Sequence, residues 1–105
     1  MPTECLNDYI QVTQGPIGNL PSGTPIFGVQ ITNECPSGCT IAQIHLNCGS
    51  FESERLINPN IFRFLGQNDC LVNDGNPLAN GDVLSFDYAS SAQFPLTVSS
   101  LTCST

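Results

Sequence analysis

Six cysteines in a chain of 105 residues constrain this fold more than any other feature. A single domain of this size, residues 1–105, buries roughly 60–70% of its extended-chain surface, so its core is small and covalent support is worth having. A metal site would need C-x-x-C pairs or mixed cysteine–histidine clusters. The closest pair here, Cys35 and Cys39, has three residues between them, and the sole histidine, His45, lies on a strand pattern. The six positions, Cys5, Cys35, Cys39, Cys48, Cys70 and Cys103, therefore read as three disulfides formed in an oxidising compartment. Spacing alone leaves many pairings open. Cys5 is expected near Cys35 or Cys39, and Cys70 or Cys103 is expected to reach back into the body. A Cys35–Cys39 ring is the third option, closing a short and demanding loop.

The apolar pattern is that of short strands. Ile10 and Val12 share one face of a strand from Tyr9 to Gln14, and Phe27, Val29 and Ile31 share one from Pro25 to Asn33. Gly28, on the outward side of the second strand, leaves room for a close neighbour. Between them, Gly15-Pro16 through Pro21-Ser22-Gly23 is dense in breakers and reads as a loop. Thr40 to Asn47 turns Ala42, Ile44 and Leu46 inward, with Gln43, His45 and Asn47 outward. These three strands are compatible with a meander. Ile61–Leu65 fits a short strand or one helical turn, and Phe62 and Phe64 favour the strand.

The C-terminal third reads as a self-contained β ribbon. Asp74-Gly75 and Asn80-Gly81 supply residues that accept positive φ. Leu84, Phe86 and Tyr88 alternate on one strand, and Phe94, Leu96 and Val98 on the next. Leu101 and Cys103 fall on the opposite parity, a slip across Ser99-Ser100 that one extra residue, a β-bulge, would produce. No segment carries a long helix-period stripe. The expected fold is all-β: a small disulfide-stabilised β-sandwich of mostly antiparallel strands.

Charge narrows the partners. Nine acids face only Arg55 and Arg63, with no lysine, for a formal net charge of −7. Nucleic acid and anionic membranes are poor partners for such a surface. No apolar run is long enough for membrane insertion. Met1-Pro-Thr-Glu-Cys5 has neither a basic start nor an apolar stretch, so it reads as the start of a mature fragment rather than a leader.

Catalytic constellations are weak. His45 has no nucleophile signature beside it, as a Ser/His/Asp arrangement would require. Glu52, Glu54, Asp69, Asp74, Asp82 and Asp87 offer carboxylate pairs, as any acidic domain does. The acids lack EF-hand spacing, and no glycine-rich phosphate loop is present. No enzyme, no cofactor, no metal and no small-molecule ligand are expected.

Several words resemble the plant tapetum determinant family. They are Cys39-x5-His45-x2-Cys48-Gly49-x-Phe51-x-Ser53, Arg55-Leu56-Ile57-Asn58-Pro59, Phe62-Arg63 and Cys70-Leu-Val-Asn-Asp-Gly-x-Pro-Leu78. The resemblance runs from Cys5 to Cys103 and includes all six cysteines. It implies a small protein secreted to the apoplast, a ligand for a leucine-rich-repeat receptor kinase ectodomain in cell-fate or developmental signalling. This chain departs from the family pattern in being less basic around the Asn58-Pro59 word, where Asn60 and Phe64 stand and Glu52 and Glu54 precede. A looser resemblance, from Leu78 to Ser100, is to the carbohydrate-binding module that ends certain plant cellulases. Sugar platforms rely on exposed aromatic faces; Trp is absent and Tyr88 is expected inward, leaving Tyr9 as the outward ring.

For a ligand, the Cys48–Cys70 segment is the expected recognition surface, because its alternation is the least regular. Arg55, Asn58, Phe62 and Arg63 are the candidate receptor-binding residues. The outward strand face carrying Gln43 and His45 is the second candidate.

Overall fold

The computed structural model describes residues 5–104. The reading of Met1–Glu4 as a chain start lies outside them. Seven strands are present among the described residues: β1 (Ile10–Asn19), β2 (Pro25–Asn33), β3 (Ile41–Asn47), β4 (Phe62–Gly66), β5 (Asp69–Val72), β6 (Val83–Ala89) and β7 (Thr97–Cys103). They form a three-stranded sheet, β1-β2-β6, and a four-stranded sheet, β4-β5-β3-β7. Every pairing is antiparallel. The all-β, disulfide-braced, sandwich-like fold follows the alternating pattern.

The inward faces meet as expected from that pattern. Val29, Ile31 and Tyr88 of one sheet and Ile44, Leu46, Phe62, Cys70 and Val72 of the other are all buried. Phe51, from the chain between β3 and β4, fills the space between the layers. Its ring lies 5.0 Å from Phe62, 5.0 Å from Tyr88 and 5.3 Å from Phe94. Phe62 stacks on Phe86 at 4.4 Å, joining β4 to β6 across the sandwich. Such pairs add about 0.5–1.5 kcal/mol each beyond the area they bury.

Three expectations are corrected. Gly15 to Asn19 is strand rather than loop, shifted in register between Pro16 and Gly18. β1 is an edge strand, so the missing Pro16 amide costs the ladder nothing. Gly28, paired with Gly15, accepts the close neighbour: a Cβ there would lie 3.0 Å from Cγ2 of Ile17. Second, the first three strands are no meander, because β3 crosses to the other sheet. Third, β6 and β7 do not pair as a ribbon; β6 borders β2 and β7 borders β3. The chain between them crosses the sandwich edge, with Leu96 buried on the way.

The slip on β7 is present and has a counterpart. His45 pairs with Ser100 and Leu46 with Val98, leaving Ser99 as the extra residue. One step earlier, Ala42 pairs with Thr102 and His45 with Ser100, so β3 carries an extra residue there. Gln43, at φ 53°, makes that bulge. The two bulges cancel, and the pair runs in register from Ile41–Cys103 to Asn47–Thr97.

The disulfides are Cys5–Cys103, Cys35–Cys39 and Cys48–Cys70. Cys5 thus pairs with neither Cys35 nor Cys39, because those two close the short ring on each other. Gly38, at φ 80°, allows it, and its amide donates to the Cys35 carbonyl at 3.0 Å. Buried Asn33 braces the same loop. Its Nδ2 donates to the carbonyls of Cys39 (2.8 Å) and Leu78 (2.9 Å), while Oδ1 accepts from the Cys35 amide at 2.9 Å.

Candidate recognition face

The candidate receptor-binding residues fall in three places. Phe62 is 1% exposed and belongs to the core, so it is not presented to a partner. Arg55 lies against the three-stranded sheet, where its Nε meets Oδ1 of Asp87 on β6 at 3.1 Å. Its loop is fastened by Ser53, whose hydroxyl accepts from the amides of Arg55 (3.1 Å) and Ala89 (3.0 Å) and donates to the Arg55 carbonyl. Leu56, next to it, is 98% exposed, an apolar feature the alternation pattern did not single out.

Arg63 belongs to the four-stranded sheet, on β4, and Asn58 to the turn that leads into it. The Asn58 side chain accepts from the Asn60 amide at 2.9 Å, and its carbonyl accepts from Ile61 and Phe62. That side-chain turn leads the chain into β4. Arg63 then projects outward, and its Nη1 donates to Oδ1 of Asp74 and to the Pro59 carbonyl.

Asp74 is held there by unusual backbone. Asn73, Asp74 and Gly75 take φ of 57°, 55° and 78° in succession, a left-handed turn that non-glycine residues enter at a cost of about 1–2 kcal/mol each. Asparagine and aspartate tolerate it best. The Asn73 side chain donates to the carbonyls of Asn76 and Pro77, both at 3.2 Å, and its amide donates to the Ile61 carbonyl at 2.8 Å. Gln43 lies over this turn: a Cβ on Gly75 would come within 3.1 Å of Gln43 Oε1. Two neighbouring words, Asn58–Arg63 and Cys70–Leu78, are thereby joined across the β4–β5 pair.

Register extends the surface. Arg63 pairs with Leu71, Leu71 with His45 and His45 with Ser100, so these residues form one row across the four strands. Arg63 and His45 are two strands, about 10 Å, apart. The two surfaces proposed separately from sequence, one around Arg63 and one around Gln43 and His45, are a single face. His45 Nδ1 lies 2.8 Å from Oδ1 of Asp69. Each basic side chain on this face thus faces its own carboxylate, Asp74 or Asp69. Asp69 and Asp74 are members the residue pattern did not identify as a surface, while Leu71, in the same row, is covered and only 8% exposed.

The other sheet offers a shallow groove of about 550 Å³ on its outer side, floored by Gly15 and Gly28 and bordered by Ile17, Gln30, Ser85 and Asp87. Its floor is backbone rather than an aromatic platform. Tyr88 is buried, its hydroxyl donating to Gln14 Oε1 at 2.6 Å and accepting from the Phe94 amide at 3.0 Å. Burial raises its pKa above 10.0. Tyr9, expected outward, packs partly against the core.

A disulfide-braced β-sandwich with a polar sheet face, built from two sequence words that meet on neighbouring strands, defines the class. The pattern of the family described as "Tapetum determinant 1, C-terminal" matches residues 6–104, and the chain belongs to that family. It is 52% identical over 100 residues to TPD1 protein homolog 1 of Arabidopsis thaliana, covering 95% of this chain and 56% of that protein. TPD1 protein homolog 1A of Oryza sativa subsp. japonica is 45% identical over 102 residues, 91% of this chain and 45% of the relative. TPD1 protein homolog 1B from the same rice is 38% identical over 102 residues, 97% and 60%. The chain spans about half the length of these curated relatives. No solved structure matches it.

Proposed function

We propose that this chain is a secreted signalling ligand, released to the apoplast, that binds the ectodomain of a leucine-rich-repeat receptor kinase in cell-fate or developmental signalling. Membership of the tapetum determinant family supports the class of activity. The carrying observation is the Arg63–Asp74 contact, which draws the two family words onto one outward sheet face. The disulfides suit an oxidising extracellular setting. The acids near the face are occupied singly, by Arg63 and His45, rather than set against each other as an acid–base pair, which suits recognition rather than catalysis.

The affinity comes from shape, from the exposed Asn58 and Gln43, and from the Arg63–Asp74 ion pair, which a partner can share. With a net charge of −7, the partner's contacting surface is neutral or basic. The test is binding of the purified chain to a panel of leucine-rich-repeat receptor ectodomains, with cellulose and other wall polysaccharides as a parallel arm. Saturable binding to an ectodomain is expected. Retention on a polysaccharide with no ectodomain binding would move the function to the glycan class.

A further inference from the structure

The chain gathers four of its six cysteine sulfurs in one place. Sγ of Cys5, bonded to Cys103, lies 3.6 Å from Sγ of Cys39, bonded to Cys35. Two disulfides are therefore in van der Waals contact; both cysteines of the first, and Cys39 of the second, are half-buried rather than enclosed. The third bridge is different: Cys48 and Cys70 are both 0% exposed. Exchange between disulfides needs only a thiolate within reach of a sulfur, an open approach and a leaving group.

We infer that Cys5, Cys35, Cys39 and Cys103 form an exchange cluster, through which an extracellular dithiol acting on the Cys35–Cys39 ring releases the Cys5–Cys103 clasp. The ring is the natural entry point. Its sequence separation is 4, so it restrains the unfolded chain least of the three, and Cys39 is more exposed than Cys35.

The chemistry balances. One thiolate of the dithiol attacks Cys39 Sγ and expels Cys35 as thiolate. The second thiolate attacks the reagent's own sulfur in the mixed disulfide, releasing Cys39 as thiolate and leaving the reagent as its disulfide. The Cys39 thiolate then attacks Cys5 Sγ. A Cys5–Cys39 bond forms, the Cys5–Cys103 bond breaks, and its electron pair leaves on Cys103, which takes a proton from solvent. Two electrons have entered, and the protein keeps one disulfide of the two.

The structural consequence falls on β7. This edge strand is paired only with β3, and its final residue is the one released. Ser100, the end of the Arg63–Leu71–His45 row, lies on it. Reduction at the ring therefore loosens one border of the recognition face.

The experiment is limited reduction of the folded protein with dithiothreitol, followed by acid quench, alkylation and peptide mapping. The expected product carries alkyl groups on Cys35 and Cys103 and a Cys5–Cys39 linked peptide, with Cys48–Cys70 intact. Alkylation of Cys35 and Cys39 with Cys5–Cys103 intact would overturn the inference, as would first entry at Cys48–Cys70. A variant pair checks the same step without reductant. In Cys35→Ser the remaining Cys39 thiol should exchange, so that label divides between Cys39 and Cys103, whereas Cys39→Ser should label Cys35 alone. Label confined to Cys39 in Cys35→Ser contradicts the relay.

Discussion

At the scale of single residues, the side chains that organise this protein are polar ones in buried places. Asn33 is 0% exposed and makes three hydrogen bonds to backbone groups of three different residues. Asn33→Ala leaves those groups unsatisfied, and an expected loss of roughly 2–4 kcal/mol follows from the cost of buried orphans; urea denaturation measures it. Tyr88 is a second case, since its hydroxyl serves both Gln14 and Phe94. Tyr88→Phe should cost about 1–2 kcal/mol. Its pKa is raised by burial, so the folded state favours the protonated phenol. That stabilisation is complete below pH 10, the ordinary tyrosine value, and is lost as pH rises through the folded value. Denaturation midpoints should fall in strongly alkaline buffer, and Tyr88→Phe should remove this residue's share of the fall. Phe62→Ala, a core truncation, should cost roughly 3–5 kcal/mol, so lost receptor binding in that variant reports folding. From sequence, Phe62 stood among the candidate receptor-binding residues, because the irregular segment around it hid which way its strand faces. Asn33 was invisible because a polar residue at a strand end resembles a turn signal.

At the scale of elements, the left-handed turn Asn73–Gly75 and the bulge at Gln43 set the recognition face. Gly75→Ala meets both a φ of 78° and the Gln43 side chain at 3.1 Å, and about 1–2 kcal/mol of destabilisation is expected. Asp74→Asn keeps a residue that tolerates the turn but removes the ion pair with Arg63. Both partners are well exposed, so its melting temperature should hardly move. A fall as large as that of Gly75→Ala would show that the ion pair, not the backbone, holds the turn. The strands themselves were legible because alternation is a local signal: β2 and β6 keep their inward sets, β3 keeps its set but also buries Ile41 beyond the bulge at Gln43, and the parity break at Ser99–Ser100 disclosed a bulge. The opposing bulge at Gln43 was not legible, because its cause is the register of a strand more than fifty residues away. Gly15–Asn19 was misread for a related reason. Glycine and proline punctuate most chains, and only the edge position of β1 makes them tolerable within a strand.

At the scale of the whole molecule, the account rests on how distant segments are tied together. The three bridges have sequence separations of 4, 22 and 98, and loop-closure entropy assigns them about 2, 3 and 5 kcal/mol in that order. Replacing each pair by alanines should lower the melting temperature least for Cys35–Cys39. Pairing could not be read from spacing, since the sheet order that brings Cys5 to Cys103 is a property of the assembled sandwich. The same holds for the recognition face: its words were visible in the sequence, but their convergence on β4, β5 and β3 needed the register. The measurement that tests this most directly is receptor-ectodomain affinity and melting temperature on the same two variants, Arg63→Ala and Arg55→Ala. Arg63 lies on the four-stranded sheet and Arg55, in a loop, against the three-stranded one, so each reports on its own face. Arg63→Ala is expected to weaken binding by about 1–3 kcal/mol, the range of a moderate anchor, with melting nearly unchanged, while Arg55→Ala leaves both unaltered. Loss of binding in Arg55→Ala with full affinity in Arg63→Ala would contradict the account and place recognition on the three-stranded sheet.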